Sequence, residues 1–282
     1  MGLARAVRHH LVTAGLLAPV LIFLLLWFVA PLINLLSLSL ADRRGAFAAY
    51  EELLTGESYR RVFVKTFTVS ASVTLLALVL AYPVAWALTR LRGKWLLFAF
   101  WCVLFPFWIS VLVRTFAWML LLEKNGPLNR LLTMLSGAEQ PLSLLFNDTA
   151  VLIGMTHIMV PYAVLPIYAA LIRIDGRLLL ASDGLGAAPL TTFRRVYLPL
   201  SFHGIAAAAV LVFLLSLGFF ITPALLGGIG STTLSMLIEQ LVDERLVWPL
   251  AAAGSFLLLA MTLLLILVAG RLMPIGTTMA AK

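Results

Sequence analysis

One arginine stands inside an apolar run and raises the question of what this chain handles. Arg114 lies between Val111-Leu112-Val113 and Phe116-Ala117-Trp118. A charge in such a setting is expensive and usually faces water or the interior of a helix bundle. It either lines a path, ties an outer gate to a neighbouring loop, or snorkels to the surface, since the run ends near Leu122. Aromatic residues able to attract an ammonium occur nearby and further on: Phe107, Trp108, Trp118, Tyr162, Phe219 and Phe220. Each such contact is worth about 0.5–2 kcal/mol, weak enough to let a cation pass. Aromatic side chains in apolar helices also serve as packing and as interface anchors. No Asp or Glu lies deep in an apolar run, and Arg114 repels a cation. This chain alone therefore has no strong cation site, and capture falls to a separate protein.

Enzymatic chemistry has no foothold here. There is no Gly-x-x-x-x-Gly-Lys-Ser/Thr phosphate loop, no His/Cys metal spacing and no nucleophile–base pair. The histidines are His9, His10, His157 and His203. His157 reads as an interhelical hydrogen bonder and His203 as interfacial. The one cysteine, Cys102, excludes an internal disulfide and reads as a small buried apolar residue.

The elements that must position these residues are membrane helices. The 282 residues are 62% hydrophobic and 11% charged, with a mean hydropathy of +1.07. A chain this apolar must satisfy its backbone internally, and its long continuous runs select helices over a barrel. The expected fold is all-α with six spans, at roughly 13–38, 66–88, 95–122, 150–172, 202–223 and 248–270. They form one membrane domain over 1–282, and the first span reads as an uncleaved anchor. Pro161 and Pro166 are expected to interrupt the fourth span, and Pro223 with Gly227 and Gly228 to break the end of the fifth. Short surface helices are expected around Glu51–Leu54 and from Pro127 to Leu135.

Charge sets the orientation. With both termini cytoplasmic, the inner segments carry Arg5, Arg8, Arg90, Arg92, Lys94, Arg173, Arg177, Arg194, Arg195, Arg271 and Lys282 against Asp175 and Asp183 alone. The purely basic turn Arg90–Lys94 is the sharpest witness. The outer loops are mixed, and their Glu123, Glu239, Asp243 and Glu244 are candidates for docking a binding protein or gathering cations. The net charge of +8 sits mostly at span ends, which argues against nucleic acid as a partner.

The segment 173–201 falls on the cytoplasmic side and has an organised pattern. Leu178, Leu179, Ala181, Ser182 and Leu185 suit a helix leaving the membrane, and Gly184 and Gly186 permit a sharp turn. Pro189 suits the first turn of a second helix running through Thr192, Phe193 and Val196, with Arg194 and Arg195 near its C-terminal end. Leu198-Pro199 stops it. The result is either a knob exposing Leu185, Leu190 and Phe193 or a solvated basic loop that only fixes topology.

The spacing from 180 to 199 resembles the loop by which permeases of binding-protein-dependent ABC importers engage their ATPase. That pattern is Glu-Ala-Ala, three residues, Gly, nine residues, Ile, any residue, Leu-Pro. It falls here on Leu180-Ala181-Ser182, Gly186, Val196 and Leu198-Pro199, so the spacing is met but the glutamate is replaced by leucine. Asp183, three residues on, is one substitute for the lost charge. Otherwise the contact is apolar, or a partner permease supplies the acid. Further stretches make the chain most similar to spermidine/putrescine-type permeases: Ala81-Tyr82-Pro83-Val84-Ala85, Pro106–Ser110 with Val113–Trp118, Gly126 and Asn129, then Leu217–Gly228, then Leu246–Ala251. The resemblance implies a type I importer permease of the bacterial inner membrane that is not itself an enzyme. It implies four kinds of partner: a second homologous permease, two ABC ATPase subunits, a periplasmic solute-binding protein and the lipid bilayer. No cofactor is expected on this chain, and ATP and Mg belong to the ATPase. The implied solute is a polyamine or related small amine. An opine, 4-aminobutyrate or an organic anion recruited through Arg114 are the alternatives. An ion-coupled secondary transporter would need intramembrane acids that this sequence lacks. A nontransporting scaffold is the remaining rival.

Overall fold

The computed structural model describes residues 16–136, 140–228 and 230–272. Every regular element among them is helical. The chain packs as two compact units. The larger comprises Glu57–Leu237 with the segment from Leu258 onward.

The core of the larger unit is three helices: α3 (Glu57–Arg90), α7 (Asp148–Leu171) and α10 (Phe202–Leu217). On α3 the buried residues Val69, Val73, Ala77, Ala81, Ala85 and Leu88 recur at nearly every fourth position and make one stripe. Small side chains there let α7 approach closely, which is how apolar helices associate without a hydrophobic drive. Gly204, in the first turn of α10, sets the approach of that helix to α7. A Cβ at Gly204 would lie 2.4 Å from Ala170 Cβ and 2.8 Å from the Pro166 carbonyl oxygen, so only glycine fits. Asn147 caps α7, its side-chain oxygen accepting from Ala150 N at 2.9 Å.

The ends of α3 and α7 away from residues 173–201 are tied by polar contacts. Asp148 accepts from Lys65 Nζ and, at 2.7 Å, from Ser231 Oγ. Thr66 Oγ1 accepts from Leu234 N at 2.8 Å, which satisfies one free amide at the start of α12 (Leu234–Asp243).

Three expectations about the spans are corrected. The stretch 95–122 is two helices, not one. In it α4 (Gly93–Leu104) continues into a tight turn, Phe105–Trp108, and the helical stretch that begins with α5 (Val111–Leu122) and runs to Ser136 is bent by 96° from it. Pro106 cannot continue an α-helix from its own position, Ile109 is extended, and Ser110 with ψ 136° is not helical. The stretch 202–223 ends early, at Gly218, and Pro223 lies inside a separate short helix, α11 (Ile221–Leu226). Conversely, Pro161 and Pro166 do not interrupt α7, which runs unbroken past both. Neighbouring helices packed against α7 accommodate the lost amide bonds there. Counting the helices long and apolar enough to cross a membrane gives four among the described residues, or six if each bent pair is one crossing.

Between α5 and α7 lies α6 (Pro127–Ser136), where a short helix is expected. Its approach is built on Gly126 and Asn129. A Cβ on Gly126 would meet the Leu120 carbonyl oxygen at 2.6 Å. Asn129, fully buried, accepts from Leu142 N at 2.9 Å and donates to Leu142 O at 2.8 Å.

The smaller unit comprises residues up to Gly56 and Ile238–Leu257. It contains α1 (Leu16–Ser39), α2 (Ala48–Thr55), much of α12 and the start of α13 (Trp248–Leu272). Ser39 is the one buried residue of α1, and its hydroxyl meets the Tyr50 hydroxyl at 2.7 Å. The rest of α1 presents an apolar surface, which suits lipid or another membrane helix. Ala49, Leu53, Leu241 and Leu250–Ala253 form the core of this unit.

Candidate functional site

The loop expected to meet an ATPase is a built object. After α7 the chain turns at Ile172–Ile174, and Asp175 caps α8 (Gly176–Gly184), accepting from Arg177 N at 2.9 Å. Helix α8 ends in a Schellman motif. Gly186 N donates to Asp183 O at 2.9 Å and Ala187 N to Ser182 O at 3.1 Å. This closure needs a left-handed residue, and Gly186 supplies φ +70°. No atom lies within 4 Å of where a Cβ at Gly186 would stand, so the requirement is conformational and not one of space. Ala188 is extended, and Pro189 begins α9 (Pro189–Leu200) at the position where a missing amide costs nothing.

Ser182 and Thr192 hydroxyls meet at 2.8 Å and lock the two helices together. Leu180, Asp183, Leu185 and Leu190 are exposed on the resulting knob, as are Ala181, Arg194 and Arg195. Leu185 is 86% exposed and Leu180 73%, which places apolar side chains in solvent unless another protein covers them. Leu180 and Asp183 stand about one turn apart on α8. Val196 is half-buried, and Leu198 and Pro199 are exposed.

Two details differ from expectation. Helix α9 does not stop at Leu198-Pro199. It widens over Phe193–Tyr197, with Leu198 N donating to Phe193 O, continues to Leu200 and turns by 63° at Ser201. A proline cannot donate and its ring crowds the preceding turn, so the widened turn accommodates Pro199 inside the helix. Phe193 is not an exposed knob residue. It is half-buried, edge-on to Tyr82 with ring centroids 5.5 Å apart.

That contact belongs to a root that the loop's own sequence did not reveal. Tyr82, Trp86 and Arg90 recur every fourth residue near the C-terminal end of α3 and so share a face. The Tyr82 hydroxyl meets Ser201 Oγ at 3.0 Å. Trp86 is edge-on to Tyr197 at 6.5 Å. The Arg90 guanidinium sits 4.4 Å from the Trp86 ring centroid and donates to the Tyr197 hydroxyl at 3.3 Å. Between this root and the knob lies a cleft of about 850 Å³ lined by Trp86, Arg90, Arg92, Asp183, Phe193 and Tyr197 among others. The signal available in the sequence was the four-residue spacing of Tyr82, Trp86 and Arg90. The stretch Ala81–Ala85 thus has two physical duties: its alanines pack the core and its tyrosine holds the loop.

The second group of candidate residues is partly assembled. Phe107, Trp108, Arg114 and Tyr162 line one cavity of about 530 Å³ with Ile109, Ser110 and Val111. The Phe107 and Tyr162 rings are 4.7 Å apart, and Trp108 stacks on Trp101 at 5.3 Å. Arg114 is 7% exposed, so it does not snorkel. Its Nε and Nη1 are buried without a hydrogen-bond partner. The other aromatic candidates lie outside this cavity lining. Trp118 donates from Nε1 to His157 Nδ1 at 3.2 Å, so His157 is the interhelical acceptor expected. Phe219 packs against the core cluster, and Phe220 is half-buried just before α11. Helix α5 is held against α11 by the buried Thr115–Thr222 hydroxyl pair at 3.0 Å. Cys102 is exposed, against expectation, because α4 buries none of its residues. No grouping of three metal-ligating side chains occurs among the described residues.

Residues 45–275 match the protein family described as "Binding-protein-dependent transport system inner membrane component". The spermidine/putrescine transport system permease protein PotB of Escherichia coli (strain K12) is 34% identical over 211 residues, covering 74% of this chain and 76% of that protein. The protein of the same name from Haemophilus influenzae is 31% identical over 257 residues, covering 87% and 88%. Among solved structures, a chain of a bacterial ABC transporter involved in the import of the acidic polysaccharide alginate superposes with a TM-score of 0.80. It covers 99% of this chain and 100% of that one at 18% identity, which is a likeness of fold. The chain belongs to the family of inner membrane components of binding-protein-dependent transport systems.

Proposed function

We propose that this chain is a permease subunit of an ATP-driven importer for polyamines such as spermidine and putrescine, or for closely related small amines. The observation that carries the coupling half of this reading is the knob itself. Two short helices closed by a left-handed glycine present exposed Leu180, Leu185 and Leu190 at one end of the three-helix core. The relatives named for spermidine and putrescine support the solute class.

In this reading the whole chain works as one permease domain with both termini cytoplasmic, beside a second homologous permease. Two ATPase subunits grip the 173–201 loops and hold the ATP and Mg, and this chain hydrolyses nothing. A periplasmic binding protein delivers the solute. Movement of the knob is passed to α3 through Tyr82, Trp86 and Arg90, which join the loop to a helix 34 residues long. Aromatic faces along the path give a cation only weak stopping points, so release is not slowed by a deep site.

The test is reconstitution of the permeases and ATPase in proteoliposomes with the cognate binding protein. ATP-dependent uptake of labelled spermidine or putrescine is expected, lost in the Gly186→Val variant while that variant still inserts in the membrane. Uptake of neither amine, or uptake without ATP, would refute the reading.

A further inference from the structure

Arg114 presents a problem that this chain does not solve. Its side chain is buried to 7% exposure, and Nε and Nη1 are closed off by this chain itself with no acceptor, which leaves Nη2 as the edge of the guanidinium that a partner can reach. The cavity it lines contains no Asp or Glu, and no ion pair to it occurs among the described residues. The polar neighbours at the cavity are Ser110 and Tyr162. A buried guanidinium left with free N–H groups is strongly unfavourable, and its planar fork matches a carboxylate.

The cavity opens onto an apolar face. Trp108 is 66% exposed, and Trp101, Leu112, Val113 and Phe116 are exposed beside it. Within a bilayer such a face is covered by lipid tails or by another helix. Lipid tails cannot accept a hydrogen bond, so a cover that meets the open edge of the Arg114 guanidinium must carry an acceptor that offsets its buried charge. A polyamine solute cannot supply it, because it carries only charge of the same sign.

We infer that the second permease subunit closes this cavity and places an Asp or Glu carboxylate on Arg114. The pair rests on the two-permease importer proposed above. It sets a charged contact between subunits at the break between α4 and α5, beside the aromatic residues Phe107, Trp108 and Tyr162. A pair made in one state of the importer and broken in the other serves as a latch on the path.

The experiment uses the full importer, with this chain co-expressed with the second permease and the ATPase. In a Cys102→Ser background, Arg114→Cys is combined in turn with cysteine at each acidic position in the spans of the second permease. Membranes are then treated with a short bifunctional thiol reagent. Strong crosslinking at one acidic position is expected. Ser110→Cys, which lines the same cavity and keeps Arg114, should crosslink to residues next to that position even if the Arg114 variant fails to assemble. Arg114→Asp should lower uptake roughly a hundredfold, and reversing the partner acid to Arg should restore most of it. Absence of crosslinks from both cysteines to the second permease would overturn the inference. So would an Arg114→Gln variant that keeps diamine uptake and loses only uptake of a carboxylate-bearing amine, since the carboxylate would then belong to the solute. The crosslink is read without any transport, so failure to import amines counts against the proposed function and not against the pair.

Discussion

Arg90 donates to the Tyr197 hydroxyl at 3.3 Å, across 107 positions of sequence, while its guanidinium lies over Trp86. One side chain thereby joins the end of α3 to the widened turn of α9. The contact is at the base of the knob, where, on the function proposed above, a force applied by an ATPase would enter the membrane helices.

Removing the ring under that guanidinium should loosen the base. Trp86→Leu removes a cation–π contact and an edge-on aromatic contact, together about 1–3 kcal/mol. Backbone amides of 189–200 are expected to exchange with deuterium about ten- to a hundredfold faster, since 1.4 kcal/mol is a factor of ten. ATPase activity should persist while uptake per ATP falls. Unchanged exchange in that segment would count against the root as a mechanical link.

Gly186 tests conformation apart from size. Its φ of +70° costs a residue with a Cβ about 1–2 kcal/mol, although the space is open. Gly186→Asn should retain more transport than Gly186→Val, because asparagine visits the left-handed region and a β-branched residue does not. Equal activity of the two variants, measured as ATP-dependent uptake, would show that the left-handed turn is not what the partner needs.

Asp183 stands where a charge could replace the glutamate absent at Leu180. Asp183→Asn is expected to weaken co-purification of the ATPase, with the loss greatest at low salt, where exposed charges are least screened. Leu180→Glu in that background should recover it. If Asp183→Asn leaves association unchanged at every salt concentration, Asp183 does not replace the glutamate, and the contact is apolar or its acid comes from the partner permease.

The turn after α1 gives a pH prediction. Arg44 donates to Asp42 from side chain and backbone, and this holds the Asp42 carboxyl down at about 2. A carboxylate whose native pKa is depressed contributes its stability above its unfolded pKa and loses it as pH falls toward the native value. The turn is therefore expected to be insensitive to pH from 7 to about 5 and to loosen progressively between about pH 4 and pH 2. Carboxyl chemical shifts of Asp42 across that range provide the check, and a midpoint near 4 would contradict the contact.

The sequence by itself determined the all-α class, the presence of several long apolar helices, the short helices at Ala48–Thr55 and Pro127–Ser136 and the two-helix form of the loop. These are local matters. Apolar run length, a glycine that frees φ and a proline that suits a first turn act within a few residues. For the same reason Gly186 could be singled out before its left-handed angle was seen.

Only the tertiary structure decided the rest. Pro161 and Pro166 read as interruptions, but α7 runs unbroken past both while packed between α3 and α10, a setting in which a proline is tolerated inside a helix. The run 95–122 read as one span, but the helix breaks at Ile109–Ser110, and Val111–Ser136 is bent by 96° from Gly93–Trp108. Phe193 read as an exposed contact, but Tyr82 on a helix far away in sequence takes its ring. Arg114 read equally as a snorkelling or a buried charge, and packing buried it without an acceptor. Each outcome depends on which helix faces are brought together, and helical periodicity fixes a face without naming its neighbour.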